Sequence, residues 1–362
     1  MNKFRFLTSG ESHGICLNAI IEGMPSNIRI DKEFIDSELS RRQQGYGRGG
    51  RMRIETDKAK ILSGVRFGKT TGAPVCIEIE NKDWQNWTTA MSVEPVDMSN
   101  PDIANSVKEK EITRVRPGHA DLTGAIKYNH DDVRNVLERS SARETATRVA
   151  VGAVAKCLLK EFNIECISKV LQIGNAFDEE SIKQEIDNAK ENGDTLGGKF
   201  EITVKNLPVG LGSFVNWDRR LDGRLAQALM SIPAVKAVEI GTGTQAAALK
   251  GSQMHDEIFI ENGEYTRKTN NAGGIEGGMT NGEDIVLKVT MKAIPTMKKP
   301  LNSVDIKTKE PYSAHFERSD TCAVEACAVV GEAMSAIVLA DAFLEKFGGD
   351  SLEEIKRNFN RG

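Results

Sequence analysis

The sequence predicts a mixed α+β fold in a single domain that spans residues 1–362. Strand-like and helix-like segments interleave along the chain, but they lack the regular βαβ spacing that predicts a doubly wound sheet. Ile285, Leu287, Val289 and Met291 alternate with their neighbours, as the residues of a half-buried strand do. No stretch has the composition of a linker between domains.

Apolar alternation and turn residues predict the strands, and capping residues together with helical periodicity predict the helices. The predicted strands fall at residues 4–8, 15–22, 61–65, 75–79, 164–173, 200–204, 235–240 and 285–291. The predicted helices are one that Asp31 caps and that ends before Gly45, the segments 141–162 and 179–191, one from Asp218 to Ser231, and an apolar one from Asp320 or Thr321 to Gly348. The segment that contains Trp84 and Trp87, up to about residue 112, predicts a polar loop.

The composition is ordinary for a soluble globular protein, and the cysteines indicate the cytoplasm. Hydrophobic residues make up 39% and charged residues 28% of the 362 residues, and the net charge is −4. We therefore expect no nucleic-acid partner, because the surface offers no basic field. We also expect no membrane partner, since no apolar run approaches the ~20 residues of a membrane span and the first residues lack the pattern of a secretory signal. The six cysteines lack zinc-ligand spacing and indicate reduced thiols without a metal.

Two glycine motifs suggest chemistry that their surroundings disfavour. Residues 10–14 match the G-x-S-x-G elbow of serine hydrolases, which would make Ser12 a nucleophile. That elbow needs a helix after the serine, whereas the residues from Ile15 onward predict a strand. Residues 193–199 spell the start of a P-loop, but Phe200 stands where Ser or Thr is required. A serine hydrolase remains a rival hypothesis.

A run of arginines and glycines predicts an anion-binding pocket. The arginines are Arg41, Arg42, Arg48, Arg51 and Arg53. No acidic residue intervenes between Glu38 and Glu55 to neutralise them. Guanidinium forks match the oxygens of phosphate and carboxylate, and the glycines let the backbone approach a ligand closely. The alternative is a phosphate- or nucleic-acid-binding module without catalysis, which the acidic composition disfavours.

Three further groups of basic residues accompany this run. They are Arg114, Arg116 and His119; then Arg134, Arg139, Arg143 and Arg148; and finally Arg318 beside Asp320. Ser140 and Ser141 are expected at the N-terminus of the helix predicted at 141–162, where free N–H groups bind anions.

His13 and His119 are the predicted proton-transfer groups. Both lie at glycine-bounded tips beside predicted strand ends, where side chains reach a pocket. Histidine is the usual acid or base near neutral pH. His130, His255 and His315 lie in predicted polar loops and are interpreted as structural.

Longer motifs make the sequence resemble the chorismate synthase family over nearly its whole length. The motifs are Gly10-Glu11-Ser12-His13-Gly14, Arg41-Arg42-Gln43-Gln44-Gly45, Arg116-Pro117-Gly118-His119-Ala120-Asp121, Arg139-Ser140-Ser141-Ala142-Arg143-Glu144-Thr145, Asn271-Ala272-Gly273-Gly274-Ile275 and Arg318-Ser319-Asp320. The resemblance implies helices sandwiched between antiparallel β-sheets and a homotetramer. It implies the trans-1,4 elimination of phosphate from 5-enolpyruvylshikimate 3-phosphate, giving chorismate in the last step of the shikimate pathway.

The same resemblance implies a set of site residues. Substrate contacts would come from Ser12, Arg42, Arg48, Arg51, Arg116 and Arg143. Reduced FMN would be held by Arg139, Ser140, Ser141, Pro233, Ala234, Gly277, Lys292, Ala293, Ile294, Pro295, Thr296 and Arg318. Arg42 and Arg48 also match positions assigned to a nicotinamide donor, which makes NADPH the candidate reductant of the flavin. His13 would protonate the departing phosphate, His119 would adjust the protonation of the flavin near nitrogen 1, and Asp320 would relay a proton from nitrogen 5.

Overall fold

The computed structural model describes residues 3–49, 56–299, 301–314 and 320–361. The α-helices are α1 (Lys32–Gln43), α2 (Pro101–Lys110), α3 (Asp121–Tyr128), α4 (Arg134–Ser140), α5 (Thr145–Lys160), α6 (Glu179–Glu191), α7 (Leu221–Met230), α8 (Gly251–Met254), α9 (Val324–Phe347) and α10 (Leu352–Phe359). The strands are β1 (Arg5–Ser9), β2 (Cys16–Glu22), β3 (Lys60–Ser63), β4 (Val65–Arg66), β5 (Lys69–Thr70), β6 (Val75–Glu80), β7 (Glu165–Ile173), β8 (Gly198–Lys205), β9 (Val235–Ile240), β10 (Ile258–Glu261), β11 (Glu264–Arg267), β12 (Ile275–Glu276), β13 (Met279–Thr280), β14 (Ile285–Met291), β15 (Asn302–Val304) and β16 (Pro311–Ser313).

Two four-stranded antiparallel sheets form the outer layers. Their strand orders are β1-β2-β6-β3 and β7-β8-β14-β9. Alternation decides which face of each strand is buried, as β14 illustrates with Ile285, Leu287, Val289 and Met291 inward. In β6 the inward residues are Val75, Ile77 and Ile79. The strand pattern read from the sequence is therefore confirmed for both sheets.

Helices fill the space between the two sheets. Helix α5 packs on the first sheet, α9 packs on β7 and β8 of the second sheet, and the two helices pack against each other. Helices α1 and α7 complete the helical layers. Gly152 permits the closest approach, because a Cβ there would lie 2.3 Å from the Cβ of Ala333. The predicted α+β fold, with helices between antiparallel sheets, is confirmed.

The expectation that no apolar segment approaches the length of a membrane span is wrong for α9. By length and hydropathy its 24 residues could cross a membrane, but 94% of its most apolar window is buried inside the protein. Glu332 and Asp341 in this helix bind cations from neighbouring elements. Helix α9 is therefore a core helix.

Two predicted helices begin later than expected. The residues predicted to start them form other hydrogen bonds, through a side chain in one case and through backbone pairing in the other. Ser141 has an extended backbone and accepts a hydrogen bond from the N–H of Arg143, so a separate 3-10 turn precedes α5. Before α9, the N–H of Leu196 donates to the carbonyl of Thr321, and Cys322 forms a β-bridge with Leu196. These residues are extended, and the helix starts at Val324 rather than at residue 320 or 321.

Two other predictions need correction. Asp218 lies in the 3-10 turn Trp217–Arg219, which Asn216 caps, and α7 begins only after it. The segment predicted as a polar loop up to residue 112 contains α2, which Asn100 caps through its side chain. The proline at the first position of α2 is a favourable start signal that outweighs the polar composition.

Candidate functional site

The loop between β1 and β2 carries Ser12 and His13 and lies against α4. His13 Nδ1 is 2.8 Å from Glu138 Oε1, and the backbone N–H of His13 donates to Glu138 Oε2 at 2.8 Å. The backbone N–H of Ser12 donates to the carbonyl of Glu138 at 3.1 Å. Strand β2 starts at Cys16, directly after the loop, so Ser12 does not lie at the start of a helix and lacks the geometry of a nucleophile elbow.

Arg42, near the end of α1, and Arg143 bind the same buried carboxylate, that of Asp57. Arg42 Nη2 is 2.8 Å from Oδ2, and Arg143 Nη1 is 2.5 Å from Oδ1. Burial lowers the pKa of Arg42, and the charges of Arg143 and Arg48 act in the same direction while Asp57 opposes them. We call Arg42, Asp57 and Arg143 the Asp57 cluster. Guanidinium forks match the oxygens of phosphate and carboxylate, so the two arginines suit an anionic ligand.

Asn81 joins the Asp57 cluster to the loop between β1 and β2. Its side-chain amide donates to the carbonyls of Glu11 at 3.0 Å and Gly14 at 2.8 Å. Its Oδ1 accepts a hydrogen bond from Nε of Arg143 at 2.9 Å. The Asp57 cluster and His13 therefore lie in one region of the protein.

Asp121, the first residue of α3, is fully buried and holds both Arg116 and His119. It accepts from Nε and Nη2 of Arg116 at 2.8 and 3.0 Å, and His119 Nδ1 is 2.5 Å from Oδ1. Burial opposes ionisation of Asp121, but hydrogen bonds from His119 and Arg116 outweigh it and keep the pKa of the carboxyl well below its usual value. We call Arg116, His119 and Asp121 the Asp121 cluster. Arg116 Nη1 also donates to Thr296 Oγ1 at 3.2 Å.

The segment after β14 lies against the Asp121 cluster. Lys292 Nζ donates to the carbonyl of Gly118 at 2.6 Å, and its backbone N–H donates to the carbonyl of Ala234 at 2.9 Å. Burial and the positive charge of Lys236 lower the pKa of Lys292. Residues 292–296 and Ala234, all predicted to bind the flavin, are therefore neighbours of His119.

Asp320 pairs with Arg48 in the glycine-rich loop that follows α1. Arg48 Nη1 is 2.8 Å from Asp320 Oδ2, and the N–H of Gly49 donates to Oδ1 at 2.6 Å. A cavity of about 140 Å³ lies beside this pair, and Thr195 and Thr296 also line it. Because Thr296 binds Arg116, the cavity adjoins the Asp121 cluster.

Arg139 is anchored beside the loop of His13. It donates to the carbonyls of Thr8 at 3.0 Å and Gly10 at 3.2 Å. Ser140 is the last residue of α4, and Ser141 follows it with an extended backbone. The expectation that both serines offer free N–H groups at the start of a long helix is therefore wrong, although both remain next to Arg139.

Gly277 is separated from the other residues predicted to bind the flavin. It lies in the turn between β12 and β13, and the carbonyl of the next residue, Gly278, accepts a hydrogen bond from Leu221 at the start of α7. Pro233 and Ala234 follow the other end of α7, and ten helical residues rise about 15 Å. Within this chain the fold does not bring Gly277 to Ala234.

Contrary to expectation, the described arginines of the run, Arg41, Arg42 and Arg48, each pair with a carboxylate from outside the run. Arg41 points away from the site and binds Glu332 and Glu38. Arg42 and Arg48 bind Asp57 and Asp320 as described above. Arg51, Arg53, His315 and Arg318 lie outside the described residues.

Sequence reasoning missed the polar and aromatic residues that hold the histidines and arginines. They are Asp57, Asn81, Trp87, Asp121 and Glu138. Glu138 directly precedes Arg139, and Asp121 ends the motif that contains His119. An acidic residue within or next to a basic motif could therefore have been used to predict the residues that hold the histidines.

The chain is similar to chorismate synthases over nearly its whole length. The family model described as chorismate synthase matches residues 4–344. The chorismate synthase of Thermoanaerobacter pseudethanolicus is 59% identical over 358 residues, which cover 98% of this chain and 97% of the relative. That of Caldanaerobacter subterraneus subsp. tengcongensis is 58% identical, with the same coverage. A crystal structure of chorismate synthase matches with a TM-score of 0.78 and 44% identity, over 99% of this chain and 96% of that one.

These matches confirm the resemblance that the motifs carry, and they confirm an enzyme of the lyase class. The serine hydrolase and the non-catalytic anion-binding module are thereby set aside. The chain belongs to the chorismate synthase family.

Proposed function

We propose that the chain catalyses the trans-1,4 elimination of phosphate from 5-enolpyruvylshikimate 3-phosphate to give chorismate, the last step of the shikimate pathway, with reduced FMN as cofactor. This makes the chain a carbon–oxygen lyase that acts on a phosphate ester. The observation that carries the proposal is that a buried carboxylate binds each of the two histidines and that two buried arginines, Arg42 and Arg143, meet at Asp57 in the region of His13.

The substrate has a phosphate and two carboxylates, and the proposed contacts offer matching guanidinium groups. The Asp57 cluster lies beside His13, so we assign to it the phosphate that leaves. Arg48 and Arg116 lie on either side of Thr296 and suit the carboxylates. Ser12 lies in the loop of His13, and Arg51 completes the proposed substrate contacts.

Three residues are proposed to move protons. His13 protonates the phosphate oxygen through Nε2, since Nδ1 is held by Glu138. His119, held by Asp121, sets the protonation of the cofactor near nitrogen 1. Asp320, held by Arg48 and the N–H of Gly49, would relay a proton from nitrogen 5 of the bound flavin.

The residues proposed to hold FMN fit a planar, anionic group. Lys292 lies near Lys236, and neither forms an ion pair with a carboxylate in the described part of the chain. Two such cations favour an anion between them. Ala234 and Ala293, beside these lysines in sequence, have small side chains. When bound, reduced FMN supplies electron density to the reacting substrate as phosphate leaves.

The remaining parts of the proposal rest on the family resemblance. We propose NADPH as the reductant of the flavin, with Arg42 and Arg48 as contacts, and a homotetramer in the cytoplasm. We also propose that residues 1–362 form one catalytic domain. The main hydrophobic core of the described residues, which includes residues from Phe4 to Ile355, supports this, and a smaller cluster around Val133 lies beside it in the chain.

An anaerobic assay tests the activity. Purified protein is mixed with reduced FMN and 5-enolpyruvylshikimate 3-phosphate, and the release of phosphate and the absorbance of chorismate are followed. Equal amounts of both products are expected, and none is expected without the flavin. Folded protein that releases neither product would contradict the assignment. Oxidised FMN with NADPH, in place of reduced FMN, tests NADPH as the reductant.

A further inference from the structure

His13 contacts Glu138 through two separate groups. The imidazole Nδ1 lies 2.8 Å from Oε1 and 3.0 Å from Oε2 of the carboxylate, and the backbone N–H of His13 donates to Oε2 at 2.8 Å. Nε2 of the ring has no hydrogen-bond partner among the residues that the structure describes. The two ring nitrogens therefore have different surroundings.

Glu138 is ionised in this environment. Burial opposes its ionisation, but the hydrogen bond and charge of His13 outweigh that effect and lower the pKa of the carboxyl. Arg134, one helical turn earlier in α4, adds a 2.8 Å contact to Oε1. A carboxylate can only accept hydrogen bonds, so the nitrogen that faces it must carry the proton.

Trp87 fixes the plane of the same imidazole. Its ring stacks on that of His13 with centroids 4.0 Å apart and an interplanar angle of 24°. Trp87 is itself held, because its Nε1 donates to Asp83 at 2.9 Å and the guanidinium of Arg134 lies 4.8 Å from its ring. The stack and the carboxylate together leave the imidazole one orientation.

We infer that Glu138 is the positioning residue that keeps the proton of neutral His13 on Nδ1, with Trp87 holding the ring plane, so that Nε2 alone exchanges a proton with the leaving phosphate. In the charged imidazole both nitrogens carry protons. Transfer of the Nε2 proton to a phosphate oxygen then leaves the neutral Nδ1–H form, which already faces Glu138. No rotation of the ring is needed in the step. The catalytic consequence rests on the proposed function, whereas the position of the proton does not.

Nitrogen-15 NMR of histidine-labelled protein tests the position of the proton directly. A protonated ring nitrogen and an unprotonated one have well-separated shifts, and a His13→Asn sample identifies the signals of His13 among the five histidines. The spectra are taken without substrate at about pH 9, above the usual titration range of histidine. We expect a protonated Nδ1 and an unprotonated Nε2 in the wild type.

Two variants of Glu138 separate its hydrogen bond from its charge. Glu138→Gln keeps an acceptor oxygen at the same reach, so Nδ1–H is expected to persist while kcat falls about tenfold. Glu138→Ala removes the acceptor, so the proton is expected to redistribute towards Nε2 and kcat to fall about 100-fold, within the usual range for a general acid. KM for the substrate is expected to change less than about threefold, because Glu138 does not face the substrate.

Asp341→Ala is the matched control for loss of stability. Asp341 is 5% exposed and Glu138 2% exposed, and each accepts hydrogen bonds from a backbone N–H and an arginine. Asp341 contacts no histidine in the described part of the chain. Asp341→Ala should be destabilised in thermal unfolding but should keep kcat and the His13 signals.

Two results would overturn the inference. One is a wild-type spectrum with the proton on Nε2, and the other is a folded Glu138→Ala variant with wild-type kcat. A folded wild type with the Nδ1 proton but without turnover would instead contradict the proposed function and leave the role of Glu138 as a holder of the tautomer intact.

Discussion

Arg143 donates to Oδ1 of Asp57 at 2.5 Å, while the other oxygen of that carboxylate already binds Arg42. Burial works against the ionised form of Asp57, but Arg42 and Arg143 outweigh it and lower the pKa of the carboxyl. Asp57 thus determines where two buried guanidinium groups lie before any ligand binds.

Replacing Asp57 by Asn should destabilise the free protein and increase its response to anions. We expect a loss of about 3 kcal/mol at pH 7, because two buried cations lose their carboxylate. Phosphate should raise the thermal midpoint of the variant more than that of the wild type, since the anion takes over the missing charge. Urea unfolding and thermal scans with and without phosphate measure both effects.

The stability that Asp57 contributes should depend on pH with a definite sign. Its folded pKa is depressed, so the contribution is complete above the unfolded value of about 3.9 and is lost as pH falls through the folded value. The gap in unfolding free energy between wild type and Asp57→Asn should therefore be constant from about pH 6 to 8 and narrow below about pH 4. A gap that widens in acid would contradict the ion-pair assignment.

Replacing Asp121 by Asn should impair the chemical step more than substrate binding. Asn keeps an acceptor oxygen but carries no charge, so the charge-assisted hydrogen bond to His119 weakens and Arg116 loses its counter-charge. We expect kcat to fall about 100-fold in the anaerobic assay. His119→Ala in the same assay gives the comparison, because the double variant should be no slower than the slower single variant. Independent, multiplying losses would show that Asp121 does not act through His119.

Replacing Lys236 by Gln should weaken binding of FMN. Burial lowers the pKa of Lys292, the positive charge of Lys236 lowers it further, and a bound anion would relieve the repulsion between the two lysines. The loss should be about 1 kcal/mol, or roughly fivefold in the dissociation constant for FMN, and it should shrink at high salt. Fluorescence titration measures it. Lys183→Gln, which changes an exposed lysine paired with Glu179, should leave the affinity unchanged.

Local patterns predicted the outer sheets and much of the site because the information lies in neighbouring residues. Alternation in β14 and the Asp31 cap of α1 depend on contacts within a few positions of the chain. The tips that carry His13 and His119 were likewise recognisable from adjacent glycines. The start of α9 was not, because Thr321 and Cys322 are held extended by partners at Gly47 and Leu196.

Several basic residues contact carboxylates that are far away in sequence. Local sequence patterns do not specify such contacts. His13 and Glu138 are 125 positions apart, and Arg143 and Asp57 are 86 apart. For the same reason, the sequence did not reveal the carboxylates that pair with the described arginines of the run, and the expectation that they lack such partners was incorrect. Arg41 and Arg42 are adjacent in sequence, yet α1 directs their side chains to different environments, since successive helical residues point about 100° apart.

Arg41 and Arg42 should therefore respond differently to substitution. Arg41 donates to Glu332 at 2.8 and 2.9 Å and to Glu38 at 2.6 Å, in a buried network that also contains Lys156. Arg41→Met keeps the apolar stem but removes these charge-assisted bonds, so the unfolding free energy should fall by about 2 kcal/mol. Because Arg41 faces α9 and not the Asp57 cluster, KM for the substrate should remain within about twofold of the wild type.

Arg42→Met is the matched comparison, since it changes the next residue of the same helix in the same way. It should raise KM at least tenfold, because it removes one of the guanidinium groups proposed to bind the substrate phosphate. Steady-state kinetics and urea unfolding of both variants give the two quantities in parallel. A rise in KM for Arg41→Met as large as that for Arg42→Met would mean that the whole arginine run, rather than the members that face Asp57 and Asp320, binds the substrate.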